Sequence, residues 1–124
     1  MNQGANYLVA ETEGKIVGFA AGNRTRDEDV KDKFDAEVYA IYVLREHQNH
    51  GAGRLLIKEI GKSFEGFGFK SMCVWVLRDS PSCGFYEKLG GKYVMEKPIN
   101  FGGKTLQEVA YGWGSISSGC LNKA

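Results

Sequence analysis

The feature that most limits the fold lies in the middle of the chain, where the apolar period changes. Ala36 to Leu44 reads Ala-Glu-Val-Tyr-Ala-Ile-Tyr-Val-Leu, a β-branched and aromatic run that suits a strand covered on both faces, inside a sheet. After Gly51-Ala52-Gly53 the spacing becomes helical. Leu56, Ile60, Phe64 and Phe67 recur at i, i+4, i+8 and i+11, one face of a helix that Gly66 and Gly68 end. Ser71 to Leu77 is a second buried strand. Strand, helix and strand at this length form a βαβ unit, so the two strands lie parallel with a right-handed crossover. A parallel pair cannot stand alone, and the flanking segments must extend its sheet.

They have the pattern to do so. Tyr7 to Glu11 and Ile16 to Ala21 flank Thr12-Glu13-Gly14-Lys15, a hairpin with a glycine turn. Lys92 to Ile99 and Lys104 to Trp113 form another around Gly102-Gly103. Ser80 to Leu89 reads as a short helix, started by Ser80-Pro81 and stopped by Gly90-Gly91. Arg24 to Asp35 alternates in charge and has few large apolar residues, so it reads as a solvated loop or exposed helical turn. The expected fold class is α/β with a mixed sheet, as one domain over residues 1–124. Its core runs from about 7 to 114, with a flexible tail over 115–124.

Composition narrows the function. The formal charge is +1, against a nucleic-acid binder, which carries a basic excess. No apolar run nears the ~20 residues of a membrane helix, and Met1 to Tyr7 lacks a signal-peptide pattern. Cys73, Cys83 and Cys120 are odd in number and have no metal-ligand spacing, so they read as reduced thiols of a cytoplasmic protein. Glycine accounts for 17 of the 124 residues, about twice its usual ~7% share. Tight turns and close backbone approaches are the expected use.

Three candidate sites stand out. Gln48-Asn49-His50-Gly51-Ala52-Gly53-Arg54 joins the long strand to its helix. Glycines at a helix N-terminus let backbone N–H groups approach an anion, a phosphate or pyrophosphate for preference. A turn that only needs positive φ would use the same glycines. No Gly-Lys-Ser/Thr follows, which excludes a P-loop, and Leu56 stands where a dinucleotide fingerprint has its third glycine. His47 and His50 have no third ligand nearby, so no metal is expected. Tyr86, on the short helix, can donate a proton as a general acid, or can simply fill core with Phe85 and Leu89. Glu37 is a carboxylate at the start of a strand that otherwise reads as buried. It needs a partner, water or a function there, unless the strand end is exposed.

Strand, Gln48-x-x-Gly51-x-Gly53, helix, strand and then Phe85-Tyr86-Glu87-Lys88-Leu89-Gly90 together resemble the GNAT superfamily of N-acetyltransferases. The likeness runs from about Tyr7 to Trp113, and Glu108-Val109-Ala110-Tyr111-Gly112-Trp113 resembles the last strand of small bacterial members. The resemblance implies a splayed sheet holding acetyl-CoA between two parallel strands. It implies that N–H groups of Gln48, Asn49, His50, Gly51, Ala52, Gly53 and Arg54 cradle the pyrophosphate, and that the backbone of Ile41, Tyr42 and Val43 pairs with the pantetheine arm. Ser80 stands where the family often has a cofactor-contacting Asn. Tyr86 matches the general acid that protonates the departing thiolate, and Glu37 the position of a carboxylate base. The implied reaction is direct attack of a primary amine on acetyl-CoA in a ternary complex.

Family members usually begin with a strand and two helices that wall the acceptor pocket, and the hairpin starting at Tyr7 stands in their place. An acyl-CoA-binding module without efficient catalysis is therefore the alternative, and a chain completed by another subunit a third reading. Tyr7, Leu8, Val9, Ile16, Val17 and Phe19 would form an uncovered apolar edge or face, so a homodimer is expected, with strand exchange as one route. Asp27, Glu28, Asp29, Asp32 and Asp35 could draw a cationic amine, but Arg24, Arg26, Lys31 and Lys33 offset them.

Overall fold

The computed structural model describes residues 6–48 and 51–116. Strands β1 (Asn6–Thr12), β2 (Lys15–Arg24) and β3 (Ala36–Val43) lead through a 3-10 turn at Arg45–His47 into helix α1 (Ala52–Gly66). Strand β4 (Met72–Leu77), helix α2 (Ser82–Lys88) and strands β5 (Lys92–Phe101) and β6 (Lys104–Trp113) follow. They make one six-stranded sheet in the order β1-β2-β3-β4-β6-β5. Every neighbouring pair is antiparallel except β3 and β4, the parallel pair the βαβ reading requires.

Both hairpins have the turn chemistry their sequences announce. Glu13 and Gly14 have φ of 52° and 81°, and Gly102 and Gly103 have 59° and 83°. Two successive left-handed residues let a two-residue turn follow the right-handed twist of its strands.

Both helices cover one face of the sheet. Leu56, Ile57, Ile60 and Phe64 of α1 pack on Ala20, Ala36, Val38, Met72 and Val74, and Tyr86 and Leu89 join Val109, Tyr111 and Trp113. Phe67, expected on the buried stripe, is 57% exposed instead. Helix α1 ends at Gly66, and beyond it the helical period no longer sets where a side chain points.

The segment between β2 and β3 is a run of turns with most of its charged residues exposed, as its charges suggest, but it is also anchored. Val30 is 0% exposed and forms a second core with Cys73 and Ala110 on the face away from the helices. Phe34 packs beside it, so close to Gly112 that a Cβ there would lie 2.2 Å from the ring. Lys97 ties the loop down through Asp27 at 2.9 Å and Asp29 at 2.7 Å. The charges are real, but they clasp one another over a short apolar plug.

Past the last strand, Ile116 is buried and its N–H donates to the Lys70 carbonyl at 2.8 Å. Among the described residues no helix is long and apolar enough to cross a membrane.

Candidate functional site

The sheet is not continuous at its centre. Strands β3 and β4 pair only through Ala36 with Met72, Glu37 with Cys73 and Val38 with Val74. Beyond that point β3 stays with β2 as far as Val43, and β4 stays with β6 as far as Leu77. A seam therefore opens between them, where the facing edge of β3 has no strand partner. The opening coincides with a bulge. Gly22 pairs with Val38 and Ala21 with Ala40, so Tyr39 is an extra residue on β3. The alternation resets there: Ala36 and Val38 face α1 before it, Ile41 and Val43 after it. Bulges of this kind bend a strand and end its pairing. The second half of β3 is thus not covered on both faces, and Tyr42 is 52% exposed.

Helix α1 begins at the far end of this seam. Gly51 has φ 90°, with open space where a Cβ would stand. The helix has no side-chain N-cap and no acidic residue in its first turn. A helix N-terminus leaves N–H groups without intrahelical partners and carries a partial positive charge, so this end suits an anion. Gln48 folds back, its side-chain amide donating to the Val43 carbonyl at 2.9 Å. Asn49 and His50 lie outside the described residues. Gly53 has a role its motif does not reveal, since a Cβ there would be 3.2 Å from Phe85 Cζ. Its lack of a side chain lets α1 and α2 touch.

Helix α2 presents Tyr86, which is 4% exposed. Its ring packs on Phe85, Tyr111 and Trp113 at centroid distances of 5.2, 6.2 and 6.3 Å. Burial, with a smaller effect of the Cys83 thiol, pushes its pKa up to about 12. The phenol keeps its proton at any neutral pH. Ser80 serves the same helix, its Oγ accepting the Ser82 N–H at 3.1 Å.

Glu37 lies across the sheet from Tyr86. Its neighbours Ala36 and Val38 face α1, so its own side chain is on the other face. There Oε1 accepts the Arg26 N–H at 3.2 Å. Sequence reasoning missed its company. Burial pushes the Cys73 thiol up to about 12, helped by the charges of Glu37 and Asp27. The Glu108 carboxyl is also raised, by burial first and by Asp27 and Glu37 next, against Lys97. Lys97 Nζ sits 4.7 Å from the centre of the Trp75 ring, and Trp75 Nε1 is buried without a partner among the described residues. The signal for Glu108 was the one that found Glu37, a carboxylate inside a strand of apolar residues. Trp75 and Lys97 offered no signal, because their contacts join segments far apart in sequence.

Residues 1–91 match the Acetyltransferase (GNAT) family, a span that holds the seam, the α1 N-terminus, Glu37 and Tyr86. The chain belongs to the GNAT family of acetyltransferases. It is 36% identical over 112 residues to the uncharacterized N-acetyltransferase YuaI of Bacillus subtilis, covering 90% of this chain and 64% of that protein. The chain thus spans just under two thirds of that relative. The GNAT fold recurs in an N-acetyltransferase from Staphylococcus aureus at a TM-score of 0.75 and 17% identity, over 90% of this chain and 67% of that one. A GNAT family acetyltransferase from Elizabethkingia anophelis, solved with acetyl-CoA bound, aligns at 0.70 and 17% identity over 87% and 74%.

Proposed function

We propose that this chain transfers an acetyl group from acetyl-CoA to a primary amine. The observation that carries the reading is the seam between β3 and β4 with the start of α1 at its end. An extended pantetheine arm fits the seam as an added strand, its amides pairing with the β3 backbone at Ile41, Tyr42 and Val43. The pyrophosphate falls at the N–H groups from Gln48 to Arg54, where Gly51 leaves room for it. Acetyl-CoA is the molecule bound in the Elizabethkingia relative.

The reacting groups approach from both faces. The acceptor amine attacks the thioester carbonyl from the side of Glu37, which takes its proton through water. Backbone N–H groups at the Tyr39 bulge stabilise the oxyanion. The C–N bond forms and the C–S bond breaks, and Tyr86 on the helix side offers its proton to the departing sulfur. Its pKa of about 12 makes it a strong holder of that proton. The thiolate formed as the C–S bond breaks is the base that takes the proton. Ser80 stands just ahead of the helix that carries Tyr86, its Oγ accepting the Ser82 N–H.

A screen of amines with acetyl-CoA, read by release of CoA thiol, tests the reaction. Release above the amine-free rate with at least one acceptor is expected, and none with any amine refutes it.

The second half of the proposal concerns assembly. Val9, Phe19 and Tyr42 stand in register on three adjacent strands, all exposed on the face away from α1. Tyr7 and Ile16 extend the patch, while Val17 turns inward. A second copy covering this row would form a homodimer. Light scattering after size exclusion should give twice the 13.7 kDa chain mass, and a stable monomer at micromolar protein refutes it. The free thiols of Cys73 and Cys83 suit a reducing compartment, the cytoplasm.

A further inference from the structure

A hollow of about 370 Å³ opens where β2 ends and β3 bulges, lined by Asn23, Arg24, Arg26, Tyr39, Phe67 and Phe69, with Thr25 at its base. Its two arginines are held in an unusual way. The Arg24 guanidinium lies over the Phe69 ring at 5.1 Å and that of Arg26 over the Tyr39 ring at 3.8 Å. The Tyr39 hydroxyl donates to the Arg24 carbonyl, which fixes the ring that holds Arg26. Thr25 is pinned between them by its N–H to Asp35 O at 3.0 Å and its hydroxyl to Phe34 O at 2.8 Å.

A guanidinium held over a ring still has several N–H donors, and even with Arg26 also meeting the Tyr39 hydroxyl donors are left for a carboxylate. Among the described residues neither arginine has a carboxylate at ion-pair distance, since the pairs found join other residues. The acids nearby are engaged elsewhere. Asp27 and Asp29 hold Lys97, and Glu28 holds Lys31 at 2.9 Å. Asp35 accepts the Lys70 N–H at 2.8 Å, whereas the Glu37 carboxylate stays beside the hollow and accepts the backbone N–H of Arg26 rather than its guanidinium. Two preset cations therefore face a concavity whose other walls are three aromatic rings with Asn23 and Thr25.

We propose that this hollow is an acceptor subsite for a carboxylate, so that the favoured substrates are amines that also carry a carboxylate on an apolar or aromatic body. Arg24 and Arg26 take the carboxylate, and Phe67, exposed beside them, takes the body. Two links connect the hollow to the chemistry: Tyr39 is the residue at which the seam opens, and Arg26 is bonded through its backbone to Glu37. The inference rests on the transferase reading for its role, but the binding it asserts can be measured without turnover.

The probe is N-acetyl-L-phenylalanine, an aromatic carboxylate that cannot be acetylated again, compared with its uncharged amide by calorimetric or NMR titration. The acid should bind the wild-type chain at least ~10-fold more tightly than the amide. Arg26→Gln and Arg24→Gln should each remove most of that preference, and Arg26→Lys should restore it only in part, because the fork is lost. In turnover, Arg26→Gln should raise KM for L-phenylalanine by a larger factor than KM for phenethylamine, which carries no carboxylate. Equal binding of acid and amide by the wild type overturns the subsite, as does a preference that survives both substitutions. The comparison on the wild type needs no variant to fold. Selective binding of the acid with no thiol release from any amine refutes the transferase reading alone, whereas thiol release without that selectivity refutes the subsite alone.

Discussion

Tyr86→Phe separates what the tyrosine does for the fold from the part proposed for it in the reaction. The ring contacts with Phe85, Tyr111 and Trp113 survive in phenylalanine, and only the hydroxyl is lost. At pH 7 the change should therefore cost less than about 1.5 kcal/mol, whereas Tyr86→Ala would cost ~3–5 kcal/mol. The hydroxyl has a second signature. Its pKa is about 12 in the folded chain, against an ordinary value of 10.0. The folded state thus holds this proton more firmly than the unfolded state does. The associated stability is fully present below pH 10 and is lost as pH rises toward 12. At pH 11 the wild type should have lost roughly 1 kcal/mol that the phenylalanine variant keeps. Urea unfolding of both proteins at pH 8 and pH 11 measures this as a change in the gap between their midpoints. Turnover at neutral pH should fall by roughly 10²–10⁴-fold, with acetyl-CoA affinity unchanged. An unchanged gap would show that the hydroxyl is not buried as described. Undiminished turnover would remove Tyr86 from the reaction.

Other outcomes follow from single contacts. Gly22→Ala places a Cβ 2.5 Å from the Glu37 carbonyl and 2.7 Å from Phe64 Cζ, and should lower the urea-derived stability by ~2–3 kcal/mol. Acetyl-CoA at about 100 times Kd should stabilise the wild type by roughly 2.7 kcal/mol, or on the order of 10 °C in Tm. Gly51→Glu should abolish that shift in the same thermal melt. Lys97→Met removes the tie on Asp27 and Asp29 and should speed hydrogen exchange of the 25–35 segment at least ~10-fold, at a cost near 1 kcal/mol. Glu37→Gln should reduce thiol release by ~10²-fold or more while leaving the acetyl-CoA melting shift intact.

The parts of this fold that depend on neighbouring residues were legible in advance. Paired glycine turns, the strand at Ala36 and the helical stripe of Leu56, Ile60 and Phe64 all declare themselves within a few positions. What escaped depends on distant partners. Val30 is a lone apolar residue among charges, and only its meeting with Cys73 and Ala110 makes it core. The Tyr39 bulge escaped for a different reason. A strand rich in apolar residues on both sides has no clear alternation to break, so an extra residue leaves no mark. In the candidate site, Glu37, Tyr86 and the Gly51 turn were singled out by residue type and position, and the roles proposed for them came from the resemblance. The stacked arginines and the group of Trp75, Lys97 and Glu108 were not, since each needs two or three segments brought together.

The touch of Gly53 on Phe85 makes a mechanical joint of two elements with separate tasks. One helix starts where the cosubstrate's charged group would rest, and the other holds the phenol. With only a hydrogen atom at position 53 the Phe85 ring sits close to α1, so a displacement at the first turn of α1 would be felt at that ring. Seating the cosubstrate would then also set the angle of the tyrosine, and a poorly seated one would leave it misaimed. A single methyl at position 53 would act like a shim in that joint, altering the aim of a side chain it never touches.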